Sequence, residues 1–166
     1  MRLKTLLFLY ILFGSLKTWG QTSSVDCPAN IGFEQGDFQN WKCESGGISG
    51  DGIITLNPTG PLGGRHEIIS SALEAKDPYG NFPVNAPNGS GYAVRLGETG
   101  TGRYADKISY TFTVPANKND YSIIYQYAVV VQDPNHPYEQ LPKLSVTVTD
   151  ITNGNKIINC GSFAYT

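Results

Sequence analysis

The stretch that decides the fold class is Lys107-Ile108-Ser109-Tyr110-Thr111-Phe112-Thr113-Val114, in which apolar and polar side chains alternate. Alternation with a period of two places the apolar residues together on one face of a β-strand. Residues 144–149 repeat the pattern, with Leu144, Val146 and Val148 separated by hydroxyl residues. Both stretches therefore predict strands that bury one face.

Residues 121–131, between these two strands, are β-branched or aromatic on nearly both faces, which predicts a central strand covered on both sides. The run Thr152-Asn153-Gly154-Asn155 then predicts a hairpin turn, because both residues of an Asn-Gly turn accept a positive φ. Shorter candidate strands lie at 53–56, 67–70 and 92–96, with one short helical turn at 71–76. We expect an all-β fold, an antiparallel β-sandwich.

The first twenty residues have the organisation of a secretory signal peptide. Arg2 and Lys4 precede an apolar run at 6–13 that is too short to cross a bilayer, and Gly20 suits cleavage. We predict a signal peptide at 1–20, a polar leader at 21–26 and one β-sandwich module at 27–166. The protein is then secreted or held at the cell surface, with no membrane insertion after signal cleavage.

The charge balance argues against nucleic acid and against anionic membrane surfaces as partners. The chain has 12 basic and 14 acidic residues. Three basic residues (Arg2, Lys4 and Lys17) leave with the signal peptide, so the mature chain has nine basic and fourteen acidic residues and a net negative charge.

Three cysteines follow the signal peptide. In an oxidising compartment we predict a disulfide between Cys27 and Cys43, because the two flank one short segment. Cys160 then stays free or pairs with a cysteine beyond residue 166. A metal site is the weaker interpretation, because no C-x-x-C motif is present.

Two long irregular stretches, 77–91 and 132–142, are rich in proline and aromatic residues and suit binding loops at the ends of a sandwich. The candidate ligand-binding residues, for a glycan or a protein, are Arg65, His66, Tyr79, Phe82, Tyr92, His136 and Tyr138. The alternative is that these tyrosines cover the core with their hydroxyl groups at water. For Arg65 and His66 the choice between a ligand-binding role and a purely structural role stays open.

No catalytic motif stands out. Gly89-Ser90-Gly91 lacks the full nucleophile-elbow pattern, and the two histidines, His66 and His136, lie far apart in the chain. The acidic residues are scattered, often before proline as in Asp77-Pro78. We predict that the chain is not an enzyme, with a glycosidase carboxylate pair as the weak alternative.

A turn rich in glycine and acidic residues lies between Phe33 and Trp41. Glu34 and Asp37, together with nearby carbonyl groups, offer the hard oxygen ligands that Ca²⁺ prefers. The alternative is that both are ordinary surface carboxylates, because the ligand spacing of an EF-hand is absent.

The pattern Phe33-Glu34-x-Gly36-x-Phe38-x-x-Trp41 resembles the first strand of jelly-roll carbohydrate-binding and MAM-type domains. More closely, the chain resembles an N-terminal module of large exported surface proteins of gliding Bacteroidetes, which often carry PKD-type repeats and a type IX secretion sorting segment. The stretches that carry this resemblance are 27–34, 64–66, 77–83, 87–97, 108–114 and 127–134.

This resemblance implies a jelly-roll-type β-sandwich in which Glu34 is a calcium ligand. Modules of this kind continue with further strands, so we expect a fragment of a longer protein whose sandwich is incomplete at the C-terminus. We predict a non-catalytic extracellular recognition or adhesion module that binds a glycan or a protein. The alternatives are a structural spacer or N-terminal cap of a multidomain surface protein and, more weakly, a secreted hydrolase.

Overall fold

The computed structural model describes residues 27–73, 75–84, 91–118, 121–132 and 135–166, and it is all-β, with every strand pairing antiparallel. The predicted signal peptide and leader lie outside the described residues, as does 85–90 of the first long loop. Among the described residues no helix is long and apolar enough to cross a membrane. The all-β antiparallel class is confirmed, in agreement with a β-sandwich.

Nine strands and three short 3-10 turns follow one another along the described chain. The strands are β1 (Trp41–Ile48), β2 (Ile54–Thr59), β3 (His66–Ser70), β4 (Tyr92–Leu96), β5 (Tyr104–Tyr110), β6 (Leu144–Val146), β7 (Thr149–Asp150), β8 (Lys156–Ile157) and β9 (Phe163–Tyr165). The 3-10 turns are Ser71–Leu73, Tyr138–Gln140 and Asn159–Gly161.

The largest sheet has the order β2-β1-β5, with β1 in the centre, and the other pairs are β3-β4, β6-β9 and β7-β8. Strand β5 ends at Tyr110 because its partner β1 begins at Trp41, which is the residue opposite Tyr110. The predicted strand at 107–114 is therefore confirmed in its first half only. Residues 111–115 have no ladder to join.

Residues 144–149 change partner midway. Strand β6 pairs with β9, whereas β7, which follows after a gap of two residues, pairs with β8. At the change the backbone N–H of Val148 donates to Ser162 Oγ at 3.0 Å. The predicted hairpin at the Asn-Gly motif is confirmed as β7-β8, but the positive φ angles fall on Gly154 and Asn155 rather than on Asn153 and Gly154.

The prediction of a central strand at 121–131 is wrong. The structure assigns no strand there, and most of these side chains are exposed. A central strand of a sheet is hydrogen-bonded to a neighbouring strand on each side. Among the described residues, 122–132 have no such neighbouring strand.

The core lies in the N-terminal half, around the start of β1. Its apolar members are Phe33 and Cys43, and Phe33 stacks on Trp41 with ring centroids 4.5 Å apart. Tyr110 also packs edge-on against Trp41, with ring centroids 5.1 Å apart. The C-terminal half of the described chain contributes no buried hydrophobic side chain. The large exposed apolar residues are most numerous there.

Candidate functional site

Arg65, a predicted ligand-binding residue, is committed to an internal ion pair. Its Nε lies 3.0 Å from Asp106 Oδ1, and its Nη2 donates to the carbonyl oxygens of Gly46 and Ala105 at 3.1 and 3.0 Å. Ser45 Oγ donates to the same carboxylate at 2.7 Å. The Asp106 side chain is only 4% exposed. Arg65 thus ties the segment before β3 to β1 and β5, and its position lends no support to a ligand-binding role.

His66, the next residue, is buried at 3% exposure. Its Nδ1 accepts a hydrogen bond from the Leu62 backbone N–H at 3.3 Å, and its ring meets Phe38 edge-on at 6.3 Å. Its Nε2 has no hydrogen-bond partner among the described residues. A ligand at the protein surface cannot reach this imidazole without a rearrangement of the segment around it.

The other predicted ligand residues lie nearer the surface. Tyr79 and Tyr138 are strongly exposed, His136 is exposed, and Phe82 and Tyr92 are half-buried. Tyr79, Phe82 and Tyr138 make no ring contact with one another in the described chain, so they do not form one platform. Tyr79 donates its hydroxyl to the Thr99 carbonyl at 3.3 Å, which links two loops.

Four other aromatic rings do come together, and we call Tyr125, Tyr127, Phe163 and Tyr165 the four-ring cluster. Phe163 stacks against Tyr127 with centroids 5.0 Å apart and against Tyr125 at 5.9 Å. The hydroxyl groups of Tyr127 and Tyr165 lie 2.7 Å apart. This hydrogen bond is the main reason that the pKa of Tyr127 is raised above its ordinary value. All three tyrosine rings stay roughly half exposed.

The residue spacing in the sequence carries a signal for this cluster. Tyr125 and Tyr127 are two residues apart, as are Phe163 and Tyr165, and a spacing of two places side chains on one side of an extended chain. Only the fold decides that the two pairs meet.

The turn that carries the predicted calcium ligands is organised by Asn30. The Asn30 amide donates from Nδ2 to three oxygens of Asp37 and Gln39 at 2.9–3.1 Å and accepts from the Gln35 N–H at 2.9 Å. Its backbone carbonyl also accepts the Trp41 indole N–H at 2.9 Å. An amide, buried and with all its groups paired, thus holds the turn against the start of β1.

Both predicted calcium ligands are exposed. Glu34 Oε1 accepts the Gly32 N–H at 3.0 Å, and Asp37 Oδ1 accepts from Asn30 Nδ2 at 3.0 Å and from the Gln39 N–H at 2.9 Å. Within the described residues no three His, Cys, Asp or Glu side chains form a metal-binding group. Calcium also uses carbonyl oxygens, so the calcium site stays a prediction.

The predicted disulfide between Cys27 and Cys43 is not formed in this structure, where both are free thiols, as is Cys160. Cys43 lies within β1 between Thr59 of β2 and Ile108 of β5, whereas Cys27 is exposed before the Asn30 turn. Burial raises the pKa of the Cys43 thiol, which keeps it protonated and unreactive.

An open cleft of about 570 Å³ lies where β1 begins and β2 ends. Phe38, Trp41, Cys43, Pro58 and Pro61 give it apolar walls. Glu44 is the one carboxylate among the described residues that line it, and Glu44 pairs with the Lys107 ammonium across the β1-β5 ladder. The described lining thus does not bring together the pair of carboxyl groups that most glycosidases use.

Comparison with protein-family models, with curated proteins and with solved structures gave no match to this chain. The resemblance to exported bacterial surface modules, like the jelly-roll topology that it implies, therefore stays a prediction.

Proposed function

We propose that the chain is a non-catalytic recognition or adhesion module of a secreted or cell-surface protein, with a glycan or a protein as its partner. The observation that carries this proposal is the four-ring cluster, in which Tyr125, Tyr127 and Tyr165 keep roughly half of their surface in water. Tyrosines that present both a ring and a hydroxyl group are typical of binding surfaces, because one part is apolar and the other polar.

The predicted export signal and the resemblance to surface modules of gliding bacteria support the same role. A jelly-roll-type sandwich would present its loops and this cluster to the outside of the cell, and a calcium ion at Glu34 and Asp37 would stiffen the first turn. Tyr79 and Tyr138, both strongly exposed on loops, are a second candidate surface for the ligand.

A glycan array and a panel of surface proteins, probed with the purified protein, test the proposal. We expect one class of ligand to bind, and Tyr127→Ala to weaken that binding about tenfold, which corresponds to about 1.4 kcal/mol. Tyr79→Ala and Tyr138→Ala are matched truncations of exposed tyrosines outside the cluster. If only these two variants lose binding, the ligand site lies on the loops that carry Tyr79 and Tyr138 and not at the four-ring cluster.

If the protein binds nothing on the glycan array and nothing on the panel of surface proteins, the proposed recognition role is refuted. The structural alternative, a spacer or N-terminal cap, then predicts that deletion of residues 27–166 abolishes display of the parent protein at the cell surface, with no ligand involved.

A further inference from the structure

Residues 122–132, Ser-Ile-Ile-Tyr-Gln-Tyr-Ala-Val-Val-Val-Gln, have the composition of a strand but belong to no sheet, and we call them the 122–132 segment. They run without a turn or a bend. No backbone hydrogen bond joins this segment to any part of the chain that the structure describes. The eleven N–H groups and eleven carbonyl groups of the segment thus have no backbone partner among the described residues, and an unpaired edge of this kind is one that folded proteins usually cover.

The side chains of the segment are those of a buried strand. It contains no charge, no proline and no glycine, and eight of its eleven residues are apolar or aromatic. Ile124 is 87% exposed. This composition, at an open edge, is the pattern that leads one strand to pair with another.

Two copies of the segment have complementary sequences when they run antiparallel to each other. In an antiparallel pair of two identical segments centred on Tyr127, Ile123 lies opposite Val131 and Ile124 lies opposite Val130. Tyr125 then lies opposite Val129, and the polar ends Ser122 and Gln132 meet each other. Pairs of β-branched residues, or of a β-branched and an aromatic residue, are the favoured cross-strand neighbours, and no like charges are brought together.

We propose that the 122–132 segment is a self-association site, at which it pairs antiparallel with the same segment of a second copy of this chain, in the register centred on Tyr127. The inference does not depend on the glycan or protein recognition proposed above. Tyr125 and Tyr127 stack against Phe163, whereas Ile124, which directly precedes Tyr125, is almost fully exposed. A change at Ile124 therefore tests the pairing without removing a ring of the cluster.

The size of the contact makes the association weak. A strand of eleven residues is roughly 36 Å long and, at a width of about 10 Å, covers on the order of 700 Å² over both copies. Stable specific interfaces bury about 1,200 Å² or more. The expected state is hence a monomer in dilute solution and a dimer or larger assembly at high concentration.

Sedimentation velocity of the purified protein, over a concentration series up to about 1 mM, tests the proposal. We expect the weight-average mass to rise with concentration, and Ile124→Lys to weaken the association at least about tenfold, because the lysine disrupts the apolar pair. Ile151→Lys is the matched control, since Ile151 is also well exposed but lies in the β7-β8 turn. It should leave the association unchanged.

A rescue tests the register itself. Ile124→Lys together with Val130→Glu places opposite charges across the pair at two symmetric positions, so the double variant should associate more tightly than Ile124→Lys alone. The proposal is overturned by a wild-type protein that stays monomeric at the highest concentration, by equal losses in Ile124→Lys and Ile151→Lys, or by a double variant that shows no recovery. Circular dichroism confirms that each variant is folded. If the protein associates through another apolar stretch, such as residues 6–13, the association will be equal in the wild type and in all variants. That result would count against the proposal.

Discussion

Replacing Asp106 with alanine probes the internal ion pair that joins the segment before β3 to the central sheet. The substitution removes the carboxylate from a guanidinium that is only 17% exposed and leaves the hydroxyl of Ser45 without its acceptor. Truncating one partner of a buried ion pair costs about 3–5 kcal/mol. We expect about 3 kcal/mol for Asp106→Ala, the lower end, because Arg65 keeps two carbonyl acceptors. Urea unfolding, followed by the fluorescence of Trp41, measures this loss.

Lys107→Ala is the matched control, because it also removes one partner of an ion pair, here with Glu44, on the same ladder. The Lys107 side chain is half exposed, so the expected cost is at most about 1 kcal/mol. Replacing both buried partners, Arg65→Met with Asp106→Leu, should cost less than Asp106→Ala alone, since no unpaired charge is left inside. If Asp106→Ala costs no more than Lys107→Ala, the assignment of a structural role to Arg65 is wrong.

Three further outcomes are expected. Asn30→Ala should lower the free energy of unfolding by about 1–3 kcal/mol in urea titrations, because it removes the amide that holds the first turn and places alanine at a φ of +60°. Calcium should raise the melting temperature of the wild type and not of Glu34→Gln, and an equal or absent rise in both would contradict the predicted site. Tyr165→Phe should lower the pKa of Tyr127 toward its ordinary value, because the hydrogen bond that retains its proton is lost. Ultraviolet titration of the tyrosine phenolates measures this change in pKa. A titration midpoint that stays the same in Tyr165→Phe would refute the hydrogen bond between Tyr127 and Tyr165.

Two of the shorter candidate strands and the Asn-Gly turn were predicted well because their signals are local. Strand β4 (Tyr92–Leu96) coincides with its predicted range, β3 differs from its prediction by one residue, and the Asn-Gly motif does join two strands. Alternation and turn residues act within a few positions of one another, so these elements need no knowledge of the rest of the chain.

The site was harder to predict because burial depends on distant partners. Arg65 and His66 have the composition of a surface motif, yet Asp106, forty-one residues after Arg65, makes the arginine internal. The aromatic residues that meet are Tyr125 and Tyr127 with Phe163 and Tyr165, which lie thirty-six to forty positions apart.

The sequence by itself determined the β class, the hairpin at the Asn-Gly motif and the apolar character of residues 121–131. Only the tertiary structure decided that β1 is central, that β5 stops where β1 begins, and that the 122–132 segment has no neighbour among the described residues. The physical reason is that a side-chain pattern shows which face of a strand avoids water, whereas the strand's hydrogen-bond partner is chosen by contacts across the whole chain.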